Sequence, residues 1–290
     1  MSSGAGYFCT GRMKVMEKLI VKERMKTDKP ELLPDFLQRL TNLSKIKIKD
    51  AMAKGAAWKT DTRRKRKRIR RATETVQYND YVELYYDPAI ISAVPPTPQL
   101  LYDLIHYSVW LKPVGLMTQG TDFGDHCSLL RQAEIYFQSR RGIYPVHRLD
   151  RETEGLVVIA HTPEAAKRLS ILFQKREVVK EYRASVLGNL GEPDKVDIIK
   201  VPLDGKESIT EYRVQGYDPF LNISTAVIWI QTGRKHQIRR HFESIGHPVI
   251  GDPKYGKKNK SDQGLQLRAV SLAFRCPFQR TDRCFHLPED

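Results

Sequence analysis

The chain has 290 residues, 40% of them hydrophobic, which is long enough for one large domain or two ordinary ones and apolar enough to build a core. Lys and Arg number 49 against 34 Asp and Glu, a formal charge of +15, and a surplus of that size favours a polyanionic partner, either nucleic acid or an anionic surface. Four scattered cysteines, Cys9, Cys127, Cys276 and Cys284, do not make a disulfide framework. No apolar run approaches bilayer length and residues 1–10 lack the apolar stretch of a secretory signal, so the expected setting is a reducing cytoplasm without membrane contact.

Residues 1–31 read as a loosely ordered arm, with a basic amphipathic stretch over 11–25 that Glu17 and Glu23 interrupt. Residues 32–88 read as a compact small domain. Leu33, Phe36, Leu37 and Leu40 recur at helical spacing, and Ile46, Ile48, Ala51 and Met52 form a second helix that stops at Gly55. Arg63, Arg64, Lys65, Arg66, Lys67, Arg68, Arg70 and Arg71 then make a nearly unbroken cationic block. Packed inside, such a block would repel itself, so it is expected to face solvent or phosphate, or to be a localisation-like basic loop. Alternation resumes in a strand at Val82-Glu83-Leu84-Tyr85-Tyr86. Residues 89–99, with Pro95, Pro96 and Pro98, read as a linker.

The region 100–290 mixes short strands and helices. Residues 156–160 are apolar and β-branched, a buried strand, and Thr162-Pro163 opens a helix striped with Ala166, Leu169, Leu172 and Phe173. Further strands are expected over 182–187 and 225–230. Just ahead of the buried strand stands Tyr144-Pro145-Val146-His147-Arg148-Leu149-Asp150-Arg151-Glu152-Thr153-Glu154-Gly155-Leu156. An acid flanked by Arg148 and Arg151 should stay ionised, which suits a nucleophile, although an exposed polar turn with ordinary ion pairs fits the same residues. The segment 233–248 reads as a helix ending at Gly246, with Ile238, Phe242 and Ile245 on one face. Arg239 lies at the edge of that face, half-buried and aimed by packing, and Arg240 points away, free for solvent or phosphate. His236 and His241 are five apart and do not stack as a helical zinc pair would. Tyr182, in Lys180-Glu181-Tyr182, is either a core ring or a flat platform for a base, and Lys112-Pro113-Val114-Gly115-Leu116 by itself is only a turn.

Together and in this order, these segments resemble the RluA-type pseudouridine synthases. The His-Arg-Leu-Asp signature stands as His147 to Asp150, followed by Thr153 and Gly155-Leu156. The Gly-Arg-x-His-Gln-Ile-Arg signature stands as Gly233 to Arg239, with Gly246-His247-Pro248, Gly251-Asp252 and Tyr255-Gly256 downstream. The likeness spans roughly residues 111–274. Residues 32–88 resemble the small alpha-L RNA-binding domain that often precedes such catalytic domains. Two positions depart from the pattern: Glu154 stands where the family usually has Ser, and Arg268 where His is common.

The resemblance implies an α+β fold, a mixed, largely antiparallel sheet flanked by helices with the cleft across its middle, behind a small α/β RNA-binding domain. It implies isomerisation of uridine in RNA with no cofactor and no metal. Asp150 would be the nucleophile, Arg239 would pair with it, and Tyr182 would stack on the target uracil. Arg148 would enter the space the flipped base leaves, with His147 and Arg151 beside it. Arg240 and the basic block would contact RNA. The expected substrate is ribosomal RNA ahead of tRNA, and the expected enzyme is a monomer. A non-catalytic RNA-binding assembly factor and a metal-dependent hydrolase stand as the rival readings.

Overall fold

The computed structural model describes residues 17–287, so the first half of the expected arm lies outside the described residues. The chain divides into two compact units, one running to Ala93 and including Thr121–Asp125, the other made of Val94–Gly120 and the chain from His126 onward.

The first unit is built from β1 (Leu19–Arg24), β2 (Glu31–Leu32), α1 (Leu33–Leu40), α2 (Lys45–Ala53), β3 (Ala57–Thr60), β4 (Arg66–Ile69), β5 (Thr75–Val76), β6 (Tyr81–Tyr86) and α3 (Pro88–Ser92). Its antiparallel sheet has the order β1-β6-β3-β4, and β2 pairs with β5. Leu33, Phe36 and Leu37 of α1 meet Ile48, Ala51 and Met52 of α2 over Val82 and Leu84 of the sheet. The apolar spacing reaches further than the packing: Leu40 sits at the edge and Ile46 is 80% exposed. Part of the stretch read as an arm is the strand β1, registered along its whole length on β6, and the stretch read as a linker begins with α3, capped by Asp87.

The cationic block behaves differently from the expectation that it faces only solvent or phosphate. It contains a strand, and acids interleave with its arginines. Arg66 donates to Glu83 at 2.7 Å and to Asp122 at 3.1 Å. Arg68 ion-pairs with Asp125 at 3.4 Å, Arg70 with the same carboxylate, and Lys67 with Glu74. The guanidinium groups of Arg66 and Arg68 both lie over the Trp58 ring, at 3.9 and 4.2 Å. Self-repulsion is removed by paired carboxylates and an aromatic face rather than by solvent alone. Arg63, Arg64, Lys65 and Arg71 remain exposed, with no ion pair among the described residues.

The second unit carries β7 (Gln99–Asp103), β8 (Tyr107–Lys112), α4 (Leu129–Tyr136), β9 (Tyr144–Pro145), β10 (Glu154–Ala160), α5 (Pro163–Gln174), β11 (Val179–Leu187), β12 (Val196–Ile199), β13 (Thr210–Asp218), β14 (Ile223–Ile230), α6 (Gln237–Ser244), β15 (Leu267–Arg275) and β16 (Asp282–His286). They form a ten-stranded sheet in the order β12-β13-β14-β11-β15-β10-β8-β7, with β16 added on β15 and β9 on β10. Every described pair is antiparallel except β10 with β15. The sheet is therefore the mixed, largely antiparallel kind that the resemblance implied.

Both faces of its centre are buried, which is why residues 156–160 are apolar without alternation. Val157 and Ile159 join Trp110, Val186 and Phe242 on one face, and Leu156 and Val158 join Val109, Leu169 and Leu272 on the other. Each such aliphatic side chain contributes roughly 1.5–3 kcal/mol. Thr162 caps α5 by accepting from the Ala165 amide at 3.1 Å, and Pro163 occupies its first turn as the sequence indicates. Gly155 stands at the mouth of the parallel pair with φ of +136°, and a Cβ there would lie 2.3 Å from the Ala269 carbonyl. Only glycine lets β10 approach β15 so closely directly after the Asp150 loop. No helix among the described residues is long and apolar enough to cross a membrane.

Candidate active site

A cleft of about 720 Å³ opens in the second unit, lined by His147, Arg148, Asp150, Tyr182, His236 and Arg239 among others. Four pieces of chain contribute most of it: the loop before β10, the end of α5, the first half of β11, and the segment that leads into and begins α6.

The loop holding Asp150 is fixed from below. The Thr118 hydroxyl donates to the Leu149 carbonyl at 2.8 Å and accepts from the Leu149 amide at 3.0 Å, while the Leu149 side chain is buried. Thr153 closes the turn by donating its amide to the Asp150 carbonyl at 3.2 Å. Lys112, fully buried at the end of β8, donates its ammonium to the carbonyls of Leu116 at 2.8 Å, Pro113 at 3.1 Å and Arg151 at 3.4 Å. The Lys-Pro-x-Gly-Leu turn and the Asp150 loop are thus tied to one nitrogen.

Burial pushes the Lys112 ammonium down to about 8 from 10.5, against the attraction of Asp150, Glu152 and Glu154. Below pH 8 the folded and unfolded chains both hold the proton, and the full penalty of a buried charge is present. Between about 8 and 10.5 the unfolded chain binds more protons, so this group's contribution to stability rises with pH, by about 3 kcal/mol in all. The stability difference between the parent protein and Lys112→Met, measured by urea unfolding, should therefore grow in the parent's favour across that window. A difference that stays flat with pH would remove the buried ammonium from the account.

Asp150 is held between a guanidinium and an imidazole whose pKa burial lowers from its ordinary value. Arg239 Nη1 lies 3.5 Å from one carboxylate oxygen and His236 Nε2 lies 3.7 Å from the other. Arg239 is not half-buried, as its place on the helical wheel suggested, but 2% exposed. Its Nε and Nη2 donate to both oxygens of Asp252, at 2.7 and 2.8 Å. Asp252 accepts in addition from the amides of Lys254 and Tyr255, at 2.8 and 3.0 Å. Burial is the largest single influence and opposes both charges, yet their mutual hydrogen bonds and attraction, with the Asp150 and Glu152 charges on one side and the Lys254 and Tyr255 amides on the other, together outweigh it, keeping the guanidinium above and the Asp252 carboxyl below their ordinary values. The remaining nitrogen, Nη1, is buried, makes no hydrogen bond, and points between Asp150 and Glu152, 3.6 Å away. It is a polar group with spare capacity beside the Asp150 carboxylate.

His236, to which the sequence reading attached no role, also stands beside Asp150. It precedes α6 with φ of +54°, a left-handed conformation that turns its ring toward Asp150. Its Nδ1 hydrogen-bonds the Tyr255 hydroxyl at 2.9 Å. The helix starts at Gln237, later than Gly233, because the buried Gln237 amide pins the preceding loop: it accepts from Thr232 and Arg234 and donates to Ile209 and Thr210. Asp252 and Tyr255 were legible only as parts of the Gly-Asp and Tyr-Gly elements, with no role attached.

Tyr182 presents its ring to the same cleft from β11, beside a β-bulge where the register with β15 shifts. Burial, and then the negative charge of Asp150, hold its phenol above the ordinary value, so it stays protonated at neutral pH. Arg148 is exposed on the rim without an ion pair among the described residues. Two expected base-handling residues sit differently. His147 is committed to the framework: it accepts the Val158 amide at 3.0 Å and stacks on Phe173, and burial lowers it to about 3, so it is neutral. Arg151 is not among the cleft-lining residues and pairs with Glu152 at 3.2 Å. Arg240, expected to be free, is held by both oxygens of Asp204, at 3.0 and 3.1 Å. The two departures from the family pattern meet each other: Glu154 and Arg268 are register partners in the parallel pair and form an ion pair at 2.9 Å.

The sequence pattern of the RNA pseudouridylate synthase family matches residues 106–244. The chain is 34% identical over 174 residues to the ribosomal large subunit pseudouridine synthase D of Vibrio cholerae, covering 51% of this chain and 52% of that protein. It is 30% identical over 212 residues to the tRNA pseudouridine synthase C of Pasteurella multocida, covering 62% of this chain and 87% of that one. Among solved structures, the human RNA pseudouridylate synthase domain containing 1 shares the fold, with a TM-score of 0.56 and 23% identity over 66% of this chain and 83% of that one.

Proposed function

From the premise that the chain belongs to the RNA pseudouridine synthase family and is an isomerase of uridine in RNA, we propose that Asp150 is its reactive carboxylate and that a ribosomal RNA is its substrate. The single observation that carries the assignment is the carboxylate itself, bracketed by Arg239 and His236 on a loop clamped by Thr118 and Lys112.

In the isomerisation the bond from uracil N1 to the ribose C1′ breaks, the base turns, and C5 bonds to C1′. The proton on C5 must leave and N1 must gain one, so the atoms balance without a co-reactant. A duplexed or stacked uridine first has to be extracted, and the cleft can hold a detached base. Tyr182 supplies a protonated, flat ring against which uracil stacks. Arg148, free on the rim, fills the gap left in the RNA. Arg239 Nη1 stabilises negative charge on Asp150 or on the group it attacks, and its Asp252 clamp fixes the direction of approach.

Ribosomal RNA is favoured by the unit ahead of the catalytic one, with its exposed Arg63, Arg64, Lys65 and Arg71, and by the likeness to an enzyme named for the large ribosomal subunit. In this reading residues 32–88 form an RNA-binding module and the enzyme works as a single chain in a reducing cytoplasm. Mapping pseudouridines in total RNA from cells with and without the protein tests the assignment. One or a few ribosomal positions should disappear and return with the wild-type chain but not with Asp150→Asn. A tRNA position lost instead would move the substrate, and an unchanged map would overturn the reading.

A further inference from the structure

The loop of residues 253–261 joins the active-site framework to the surface. Its root is Asp252, which holds Arg239, followed by Tyr255, whose hydroxyl meets His236. Asn259, 3% exposed, keeps the loop in shape by donating to the carbonyls of Val249 at 2.7 Å and Tyr255 at 2.9 Å, and the Gly256 amide reaches Glu243 at 3.3 Å. On this fixed base stand Lys254, Lys257, Lys258 and Lys260, four exposed lysines in seven residues. None of the four forms an ion pair among the described residues; the Lys254 ammonium lies over the Tyr255 ring, 5.3 Å from its centre.

In this the four resemble Arg63, Arg64, Lys65 and Arg71 and differ from several arginines elsewhere in the chain. Arg66, Arg68, Arg70, Arg176 and Arg240, each in a basic surrounding, are all matched by a carboxylate. Four like charges on one short, pinned loop repel one another, and a row of phosphates would relieve that repulsion where the protein's own acids do not. Lysine suits phosphate as a point charge on a flexible stem and asks for no fixed geometry.

We propose that the loop of residues 253–261 is a phosphate-contacting element for the RNA strand that carries the target uridine, rooted on the same Asp252 and Tyr255 that hold Arg239 and His236 around Asp150. This rests on the reading of the cleft as the uridine site. It assigns backbone contact in the second unit to this loop rather than to Arg240, which Asp204 already neutralises. Phosphate contacts supply position and affinity and carry no base preference, so the loop serves any substrate sequence.

The test uses the full chain, a labelled RNA hairpin with a uridine in its loop, and a salt series. With Lys257, Lys258 and Lys260 changed together to Gln, log affinity against log salt should be shallower by about two, at roughly 0.7–0.9 per phosphate contact. The matching triple change to Arg should restore the parent slope. Lys258 has φ of +60°, and both replacements meet the same backbone strain there, so the comparison isolates charge. Identical slopes for parent and Gln variant, with cooperative unfolding intact, overturn the proposal, as does parent binding that is insensitive to salt. Pseudouridine formation is scored separately on the same samples: a slope difference without any isomerisation overturns the catalytic reading and leaves the loop assignment standing.

Discussion

Replacing Asp150 with Asn should reduce isomerisation by on the order of 10³-fold or more while RNA affinity changes little. Asn keeps the shape of the side chain and a hydrogen-bond acceptor, so the loop clamped by Thr118 and Lys112 has no reason to move. What is lost is the charge and nucleophilicity at the atoms facing Arg239 and His236. On the proposed assignments binding should draw on cations elsewhere, such as Arg148 on the rim and the exposed lysines of residues 253–261. A tritium-release assay on RNA labelled at uracil C5, run alongside a binding titration, separates the two quantities. Near wild-type turnover by the Asn variant would remove Asp150 from the chemistry. Equal loss of binding and turnover would make the residue structural.

This carboxylate is legible in the sequence because its motif is local: the acid, its flanking arginines and the glycine that admits the next strand all fall within a few residues. The same holds for Thr162-Pro163 opening α5 and for the apolar run of β10, where a cap and a period are written in adjacent positions. Groups that reach the site from far along the chain were legible only as fragments of a pattern. Asp252 fixes Arg239 from 13 residues away and Tyr255 fixes His236 from 19, and neither spacing has a period that could announce it. Local charge counting also misjudged three cations. Arg66, Arg68 and Arg240 look free in sequence, and their partners Glu83, Asp122, Asp125 and Asp204 lie between 17 and 57 residues away. His147 misleads for a related reason: a histidine beside an arginine reads as a second cation, whereas the Val158 amide that makes it an acceptor belongs to the following strand. Ten strands in the order found here follow from no periodicity, since register between distant strands depends on which faces are buried together.

Arg239→Ala should fail in two separable ways. The first is stability: truncation strands Asp252, whose side chain is fully buried, without its bidentate partner, and breaking such a pair typically costs 3–5 kcal/mol. The second is chemistry: the positive charge 3.5 Å from Asp150 disappears, and turnover should fall by about 10²-fold or more even in the folded fraction. Arg239→Lys should not rescue either loss, because one ammonium cannot serve both Asp252 oxygens and still face Asp150. Arg240→Ala, one residue on, should lose little turnover, since its exposed pair with Asp204 touches nothing in the cleft. The double variant Arg239→Met with Asp252→Leu decides between the two effects. An apolar pair of similar volume can replace a buried ion pair at little cost in stability, so folding should largely recover. Turnover should not, because no guanidinium nitrogen then faces Asp150. Chemical denaturation and single-turnover kinetics at saturating RNA give the two readouts. If activity returned together with stability, Arg239 would act only as a buried strut for the residue 253–261 loop, and the electrostatic role assigned to its free Nη1 would be wrong.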